Sequence, residues 1–427
     1  MAKRRLTRRL AGVISKRLRD LKLGQITDPR SRRGRRYKRI QPLLVALLVG
    51  LICGRKGLRE VENLTSDLSP VARRLLGIFK RLPDTTLRNL LLKLDLGELR
   101  DTLRRGVERM HRAKALRPDG LPFGAVSMDG KATATNLWEP DDPFAQVQHP
   151  EGGAAFALVR TVTSCLISSA ARVCLDMHPI PPSTNENGAF AAAFLAVVAH
   201  FGHLFRVVLY DSGANAAANA RLVLACGKDY VFRVKAEQPT IFNECVRRLG
   251  RKSVSSGLCA GSYIHGSRVV TRYLWFDDGL AGWHGYPGLR CAIRMRAHAV
   301  DKTTGEVTTE DRYYVTSMDS SVLAVHHWAE LLRRHWSVEN NCHAVWDKQF
   351  REDKRPWVRV PRAMLNVMAL RRIAYNLMAW FRNVTQRGER QRQVPWKRLM
   401  TLFRDMVVGL TDEVLRRPRP LEVLAFD

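Results

Sequence analysis

The chain has 427 residues, and its 71 Lys and Arg against 40 Asp and Glu leave a net charge of +31. This length exceeds what one hydrophobic core serves, and a hydrophobic fraction of 45% excludes a globally disordered chain. A positive surplus this large repels itself unless a polyanion neutralises it, so nucleic acid is the expected partner. The longest apolar run, residues 42–53, is shorter than the ~20 residues that cross a bilayer, which argues against a membrane partner.

The eight cysteines are scattered along the chain and form no CxxC pair. This spacing argues against a zinc ribbon and against the disulfide framework of a small secreted protein. The basic N-terminus also lacks the apolar core and the small-residue cleavage site of a signal peptide. We therefore expect the protein to lie in a reducing cytoplasm.

The first 40 residues are strongly basic, with 16 Lys or Arg against Asp20 and Asp28. Two interpretations stay open for residues 1–40: a solvated basic arm, or an arm lying on DNA phosphates, where each basic contact releases counterions. Residues 41–115 follow a helical pattern, in which "LPDTTLRNLL" carries a helix-start signal. We expect a small all-helical accessory domain that binds DNA, followed by a linker at 116–124.

After this linker the pattern changes to apolar strands mixed with helices. The predicted elements, in order, are a strand at 123–130, a hairpin at 155–180, a helix at 188–202, a strand at 204–211, a helix to 226 and a strand at 229–235. Three early strands followed by helix, strand, helix and strand are the order of an RNase H-like mixed sheet. The expected fold class is therefore α/β, with an RNase H-like mixed-sheet catalytic domain.

The catalytic domain is expected in two parts. Its first part covers residues 120–237, and residues 238–318 are β-rich and polar, which indicates an insertion. Residues 319–385 return to a helical pattern and form the second part of the domain. Residues 386–427 are expected to be a basic C-terminal tail.

Three carboxylates stand at positions where a charge is costly. Asp129 and Asp211 each end an apolar strand and precede a glycine within two residues, although a turn or a cap explains either one taken alone. On the helix predicted from Val325, Glu339 lies on the same stripe as apolar residues, at spacings of three and four. A carboxylate there is desolvated unless a cation meets it, and that cation is either Arg333 or a bound metal ion.

Together, the three acids predict an all-oxygen metal site. Such a donor set suits Mg²⁺, with Mn²⁺ as a substitute. Two ions held by it can activate a water or a 3′-hydroxyl and stabilise the leaving oxygen of an in-line displacement. We expect the fold to bring Asp129 and Asp211 onto adjacent strands, facing Glu339.

Three further acids follow Glu339 closely, and helical geometry argues against each as the third ligand. Asp347 lies about 80° round an ideal helix and ~12 Å along it from Glu339, so we assign it either a structural role or a role in supporting the metal ligands. Glu352 and Asp353 precede Pro356, where the helix should end in a solvated turn.

Candidate DNA ligands are basic residues in the N-terminal arm and in the catalytic segments. They are Arg35, Arg36, Lys38, Lys131, Lys235 and Arg333.

Asp129 lies in "SMDGK", Asp211 in "VVLYDSGAN" and Glu339 in "RRHWSVENNCHAVWDKQFRED". These segments resemble the three acidic motifs of bacterial insertion-sequence DDE transposases, in the group related to the H-repeat-associated proteins. Further similar segments occur in order: "PPSTNEN", "KDYVFRVKAEQ", "DRYYVTSM" and "NVMALRRIAYNLM". In the N-terminal part, "DPRSRRGRRY" and "LPDTTLRNLL" are similar to the accessory domain of that group. The resemblance extends from near residue 25 to near residue 380.

The resemblance implies Mg²⁺-dependent DNA cleavage and strand transfer by an RNase H-like domain with a β insertion between the second Asp and the Glu. The implied partners are double-stranded DNA, as inverted-repeat element ends and as target, bound by a homodimer in the bacterial cytoplasm at the nucleoid. The chain departs from the wider superfamily, in which a Tyr and an Arg precede the Glu and a Lys follows it. Leu332, His335 and Trp346 stand at those positions, so the DNA-gripping role of that signature is not carried over.

Two alternative functions stay open. One is an inactive, transposase-derived DNA-binding protein, which the presence of all three acids disfavours. The other is an RNase H-like nuclease that hydrolyses DNA without strand transfer, and only a strand-transfer assay separates it from a transposase.

Overall fold

The computed structural model describes residues 2–31, 37, 39–135, 142–211, 213, 215–385 and 394–409. Its α-helices are α1 (Ala2–Asp20), α2 (Gln41–Ile52), α3 (Leu58–Asp67), α4 (Pro70–Leu76), α5 (Asp84–Lys93), α6 (Leu96–Arg112), α7 (Glu186–Phe201), α8 (Ala217–Ala225), α9 (Pro239–Leu249), α10 (Val325–His335), α11 (Ala344–Lys348), α12 (Pro361–Trp380) and α13 (Trp396–Val407). Its strands are β1 (Ala125–Thr135), β2 (Gln146–Gln148), β3 (Phe156–Leu166), β4 (Cys174–Pro179), β5 (Val207–Tyr210), β6 (Asp229–Val234), β7 (Leu258–His265), β8 (Arg268–Asp277), β9 (Cys291–Asp301) and β10 (Val307–Thr316).

The chain divides into two compact units. One comprises residues 1–109 and 345–427 and is helical in its described part, and the other comprises residues 110–344 and contains the sheet.

The centre of the sheet has RNase H-like topology. β1 pairs antiparallel with β3 and parallel with β5, β5 pairs parallel with β6, and β4 pairs antiparallel with β3. The strand order β4-β3-β1-β5-β6, with α7 and α8 as the crossover helices, confirms the predicted fold class. β5 is buried at every residue, as expected of a short parallel strand with both faces covered.

The segment predicted as a β-rich insertion begins with a helix, α9, and then lengthens the same sheet. β10 pairs antiparallel with β6, and β9, β8 and β7 follow in order, so that the described strands form one sheet of ten. The sheet continues because the unpaired edge of β6 offers backbone donors and acceptors that β10 satisfies. The inserted strands are therefore an extension of the catalytic sheet.

The segment Glu186–Leu204, which contains α7 and the turn after it, is long and apolar enough to cross a bilayer by length and composition alone. Its Phe190 and Phe194 are fully buried, and the ring of Phe190 meets that of Tyr210 edge-on at 5.0 Å. These are the contacts of a helix that packs on a sheet.

The N-terminal segment differs from the predicted basic arm, because residues 2–20 form the amphipathic helix α1. Leu10, Ile14 and Leu18 recur four residues apart and are buried, and the Arg17 guanidinium lies 3.5 Å from the ring centroid of Trp380. Apolar residues at this spacing give one side of the helix a hydrophobic stripe despite the high charge. Most of the run 31–39 lies outside the described residues.

The segment predicted as a C-terminal tail contains a packed helix, α13. Leu399, Phe403 and Val407 are buried along one side of it. Residues 386–393 and 410–427 lie outside the described part of the chain.

Glu352 does not lie in a solvated turn, so the expectation for this residue was wrong. Its side chain is fully buried and forms ion pairs with Arg371 and Arg372 of α12. The Arg372 guanidinium in turn lies 3.8 Å from the ring centroid of Trp346. Two buried arginines require a nearby anion, and Glu352 supplies it.

Candidate active site

The parallel pairing of β1 with β5 sets two aspartates side by side. Ser127 is opposite Leu209, so two residues further along each strand lie Asp129 and Asp211. The two residues therefore lie on adjacent strands, as expected. β1 continues past Asp129 to Thr135, so Asp129 is inside its strand, whereas Asp211 directly follows β5.

Asp129 is mostly buried, with 18% of its side chain exposed, and the Nδ1 atom of His343 lies 3.4 Å from its Oδ2. Burial raises the pKa of Asp129 to about 8, and the charges of Glu186, Glu339 and Asp211 add to this rise. Desolvation and like charges both disfavour a carboxylate. The surroundings of Asp129 therefore disfavour its ionised form unless a cation lies beside it.

Asp211 contacts two basic side chains, that of Arg233 in β6 and that of Lys235 directly after this strand. The Nζ of Lys235 lies 2.8 Å from Oδ2, and a guanidinium nitrogen of Arg233 lies 3.6 Å from Oδ1. These cations provide the positive charge that a strand-end carboxylate among other carboxylates requires.

Glu339 lies in a π-helical segment, Val338–His343, between α10 and α11. The prediction of one regular α-helix was wrong here. The wider π-turn rotates the residues that follow it, so the predicted row of inward-facing residues does not continue along one side of the helix. Glu339 is exposed, and Cys342 and His343 point inward instead. Arg333 pairs with Glu330, with 2.6 Å between NH2 and Oε2, so it does not meet Glu339.

The charges around Glu339 oppose one another. Partial desolvation and the charge of Asp211 raise its pKa, while Arg233, Arg312 and Lys235 lower it. Glu339 thus belongs to the same electrostatic cluster as Asp211. π-helical turns of this kind occur frequently at functional sites.

Two histidines fix the Glu339 segment on the sheet. The hydroxyl of Ser127 in β1 lies 3.0 Å from both Nδ1 and the backbone oxygen of His335, at the end of α10. At the other end of the π-helix, Nε2 of His343 lies 3.2 Å from the hydroxyl of Thr163 in β3. Burial lowers the pKa of His335 to about 4, so this ring is neutral at pH 7.

Glu186 is a fourth carboxylate at this site, and the sequence did not predict a role for it. Its Oε1 accepts hydrogen bonds from the backbone N–H of Gly130 and from the hydroxyl of Tyr210, both at 2.9 Å. Gly130 follows Asp129 and Tyr210 precedes Asp211, so Glu186 links the two strands at the aspartates. The signal was present in "PPSTNEN": Asn185 caps α7 by accepting from Gly188 N–H, which places Glu186 in the first turn.

The chemistry of these donors fits a divalent cation. All four acids offer hard oxygen ligands, and a bound cation would favour the ionised form of Asp129, which burial and the neighbouring carboxylates disfavour. Within the described part of the chain, no three His, Cys, Asp or Glu side chains converge on a single ion as they stand. Mg²⁺ does not require this, because one or two carboxylates bind it when water and phosphate oxygens complete the shell.

The six candidate DNA ligands fall into three groups. Lys235 contacts Asp211, and Arg333 is exposed over 43% of its side chain. Lys131 is buried within β1, with 8% of its surface exposed, which gives no support to the expectation that it binds DNA. Arg35, Arg36 and Lys38 lie outside the described residues.

An RNase H-like sheet with acids on its two central parallel strands is typical of enzymes that act on phosphodiester bonds. The family model "Transposase DDE domain" matches residues 155–377, more than half of the chain, and "DDE_Tnp_1-associated" matches residues 21–105. The chain belongs to the DDE transposases of the insertion-sequence type, which act on DNA and generally use divalent metal ions. The first match includes Asp211 and Glu339 and begins after Asp129.

Among solved structures, the chain is similar to piggyBac transposase in a synaptic complex with hairpin DNA. The TM-score is 0.42, with 11% identity over 90% of this chain and 73% of that chain. No curated protein matches the sequence.

Proposed function

We propose that this transposase cleaves DNA and transfers the cut strands at the ends of its insertion sequence, with Asp129, Asp211 and Glu339 as the catalytic metal ligands. The observation that carries the proposal is the β1–β5 pairing, which sets the two aspartates side by side. The influence of both Asp211 and Glu339 on the pKa of Asp129 supports one common cluster. The proposed ion is Mg²⁺, with Mn²⁺ as a substitute.

The protein groups have separate tasks in this proposal. A bound pair of ions would activate the attacking water or 3′-hydroxyl and stabilise the leaving oxygen. Asp129 and Asp211 are held by β1 and β5, while Glu339 supplies the third carboxylate from the π-helical segment. His343 orients Asp129, and Lys235 and Arg233 neutralise Asp211 and lie where a DNA phosphate would approach.

The proposed partners are double-stranded inverted-repeat ends and target DNA. We propose a homodimer when bound to DNA, since a transposition reaction joins two element ends. A soluble protein at the nucleoid of a bacterial cytoplasm fits these partners.

A transposition assay tests the function. A plasmid carrying the gene with its flanking genomic DNA is incubated with the full chain and Mg²⁺, and released and joined strands are sequenced. We expect joined products with the wild type and none with Asp129→Asn. Cutting without joining would identify a nuclease, and DNA binding without cutting would identify an inactive descendant.

Gly130→Ala should impair this site although the substitution is small. A Cβ at this position would lie 2.0 Å from Oε2 of Glu186, so that carboxylate must leave the position that links the strands. Loss of such a supporting contact typically costs about 10- to 100-fold in activity or metal affinity. The cleavage rate with Mg²⁺ measures the effect.

Gly213→Ala is the matched control, because Gly213 also follows a site aspartate within two residues. An added Cβ there meets no atom of the described residues within 4 Å. We expect its cleavage rate to stay near that of the wild type. Wild-type cleavage by Gly130→Ala would show that the position of Glu186 does not matter.

A further inference from the structure

The sheet extension carries a row of arginines on one face. Strand register defines the row: Arg233 pairs with Tyr314, Arg312 with Met295, and Arg272 with Ala297. Residues two apart on a strand share a face, so these three arginines project to the same side.

The row begins at the proposed catalytic acids. Tyr210 pairs with Phe232, so the next position along both strands sets Asp211 beside Arg233. The opposite end of the row is at the sheet edge, where the Arg272 guanidinium donates to the hydroxyl of Tyr263 at 2.6 Å. Four strand spacings of ~4.8 Å separate β5 from β8, the strand that carries Arg272, a distance of about 19 Å.

Aromatic rings hold the arginines in place. The guanidinium groups of Arg312 and Arg233 lie 4.6 and 5.5 Å from the ring centroid of Trp336, and that of Arg272 lies 4.5 Å from Tyr263. A guanidinium stacked on a ring is preorganised for phosphate, so it loses less rotamer entropy when DNA binds.

The row has excess positive charge. Asp211 pairs with Arg233, Glu310 with Arg312 and Glu330 with Arg333, while Arg272 donates to the hydroxyl of Tyr263 and has no carboxylate partner among these acids. Burial lowers the pKa of Arg272, and the charges of Arg333 and Arg312 lower it further.

Three donors in the row also have no hydrogen-bond partner among the described residues. They are Nε of Arg233, Nε of Arg272 and Nε1 of Trp336, all of which are buried.

We propose that the three arginines of this row, together with Arg333 in α10, bind the phosphate backbone of the DNA strand that leads away from the cleavage site. Each strand of a duplex carries one phosphate per ~3.4 Å of helix axis, so ~19 Å corresponds to about six nucleotides. The row contacts the backbone, so it holds DNA of any sequence. The proposal rests on the proposed function for the identity of the polyanion.

The test uses Arg272→Gln combined with Arg333→Gln in the full chain. Arg272 is the arginine of the row farthest from Asp211 in the strand order, and Arg333 in α10 is close enough for its charge to lower the pKa of Arg272. Binding of a fluorescein-labelled duplex of about 30 base pairs is measured by anisotropy in EDTA at several salt concentrations. We expect the log–log salt slope to fall by about two, one for each lost contact, and the affinity at low salt to fall roughly tenfold.

The matched control removes two charges from the other face of the sheet. Arg247 in α9 and the exposed Arg251 after it lie on the side of Arg294, whose guanidinium donates to Leu249 O at 2.7 Å. Arg247→Gln with Arg251→Gln should leave the slope unchanged. Arg272→Lys with Arg333→Lys keeps both charges and should retain most of the slope, which separates charge from misfolding.

The proposal would be overturned if the two glutamine double variants gave the same log–log salt slope of DNA binding, whether both slopes fall or neither does. Loss of the slope in the lysine pair would also overturn it, because the effect would then be structural. Since binding is measured in EDTA, the result does not depend on catalysis. If the transposition assay fails while the two glutamine double variants still differ in salt slope, the proposed function is refuted and the proposed DNA-binding row is not.

Discussion

Glu339→Gln is expected to lower DNA cleavage and strand transfer about 10³-fold or more and to leave DNA affinity nearly unchanged. The amide has the size of the carboxylate but lacks its charge, so a metal ion loses a ligand worth several kcal/mol in the transition state. The side chain is exposed, so its replacement should not disturb packing. Cleavage rates with Mg²⁺ and DNA affinities, measured on the same preparations, give the comparison.

Asp347→Asn is the matched control for this substitution. Asp347 belongs to the helical unit, where its charge acts on Arg371. We therefore expect this variant to retain measurable cleavage. Activity in Glu339→Gln together with inactivity in Asp347→Asn would mean that the third ligand is misassigned.

Glu352→Ala is expected to destabilise the fold by about 3–5 kcal/mol, because it leaves Arg371 and Arg372 buried without their anion. Burial already lowers the pKa of Arg371 to about 10, which indicates how unfavourable its charge is there. The free energy of unfolding from a urea titration measures the loss. At a permissive temperature the folded fraction should still cleave DNA.

Asp101→Ala removes an acid of the same unit whose ion pair with Arg104 is exposed, with 59% of the Asp101 side chain accessible. Exposed pairs typically contribute between zero and about 1 kcal/mol, so this control should unfold near the wild type. Equal stability of Glu352→Ala and Asp101→Ala would show that the buried triad does not stabilise the protein.

Asp129, Asp211 and Glu352 show what sequence periodicity can and cannot predict. Apolar strands ending near Asp129 and Asp211 predicted the β1–β5 arrangement, because a buried parallel strand leaves a plain hydrophobic run. Glu352 was misassigned because its partners lie about twenty residues later in the chain. Burial created by tertiary contacts leaves no local periodic signal.

The π-helix and Glu186 were missed for different reasons. A regular 3.6-residue period cannot represent a π-turn, so Glu339 was placed on the buried stripe although the structure exposes it. Glu186 was in a recognised motif, but its hydrogen bonds to Gly130 and Tyr210 depend on how α7 aligns with β1 and β5. The merging of the insertion with the catalytic sheet likewise depends on long-range pairing.

Iron-directed cleavage of the protein backbone tests most directly whether Asp129, Asp211 and Glu339 hold a metal ion. Fe²⁺ binds oxygen and nitrogen sites at least as tightly as Mn²⁺, and with ascorbate and peroxide it cuts the chain beside its site. We predict cuts near all three residues, suppressed by excess Mg²⁺ and absent in Asp129→Asn with Asp211→Asn. Cuts elsewhere, or cuts that persist in that double variant, would contradict the assignment of the metal site.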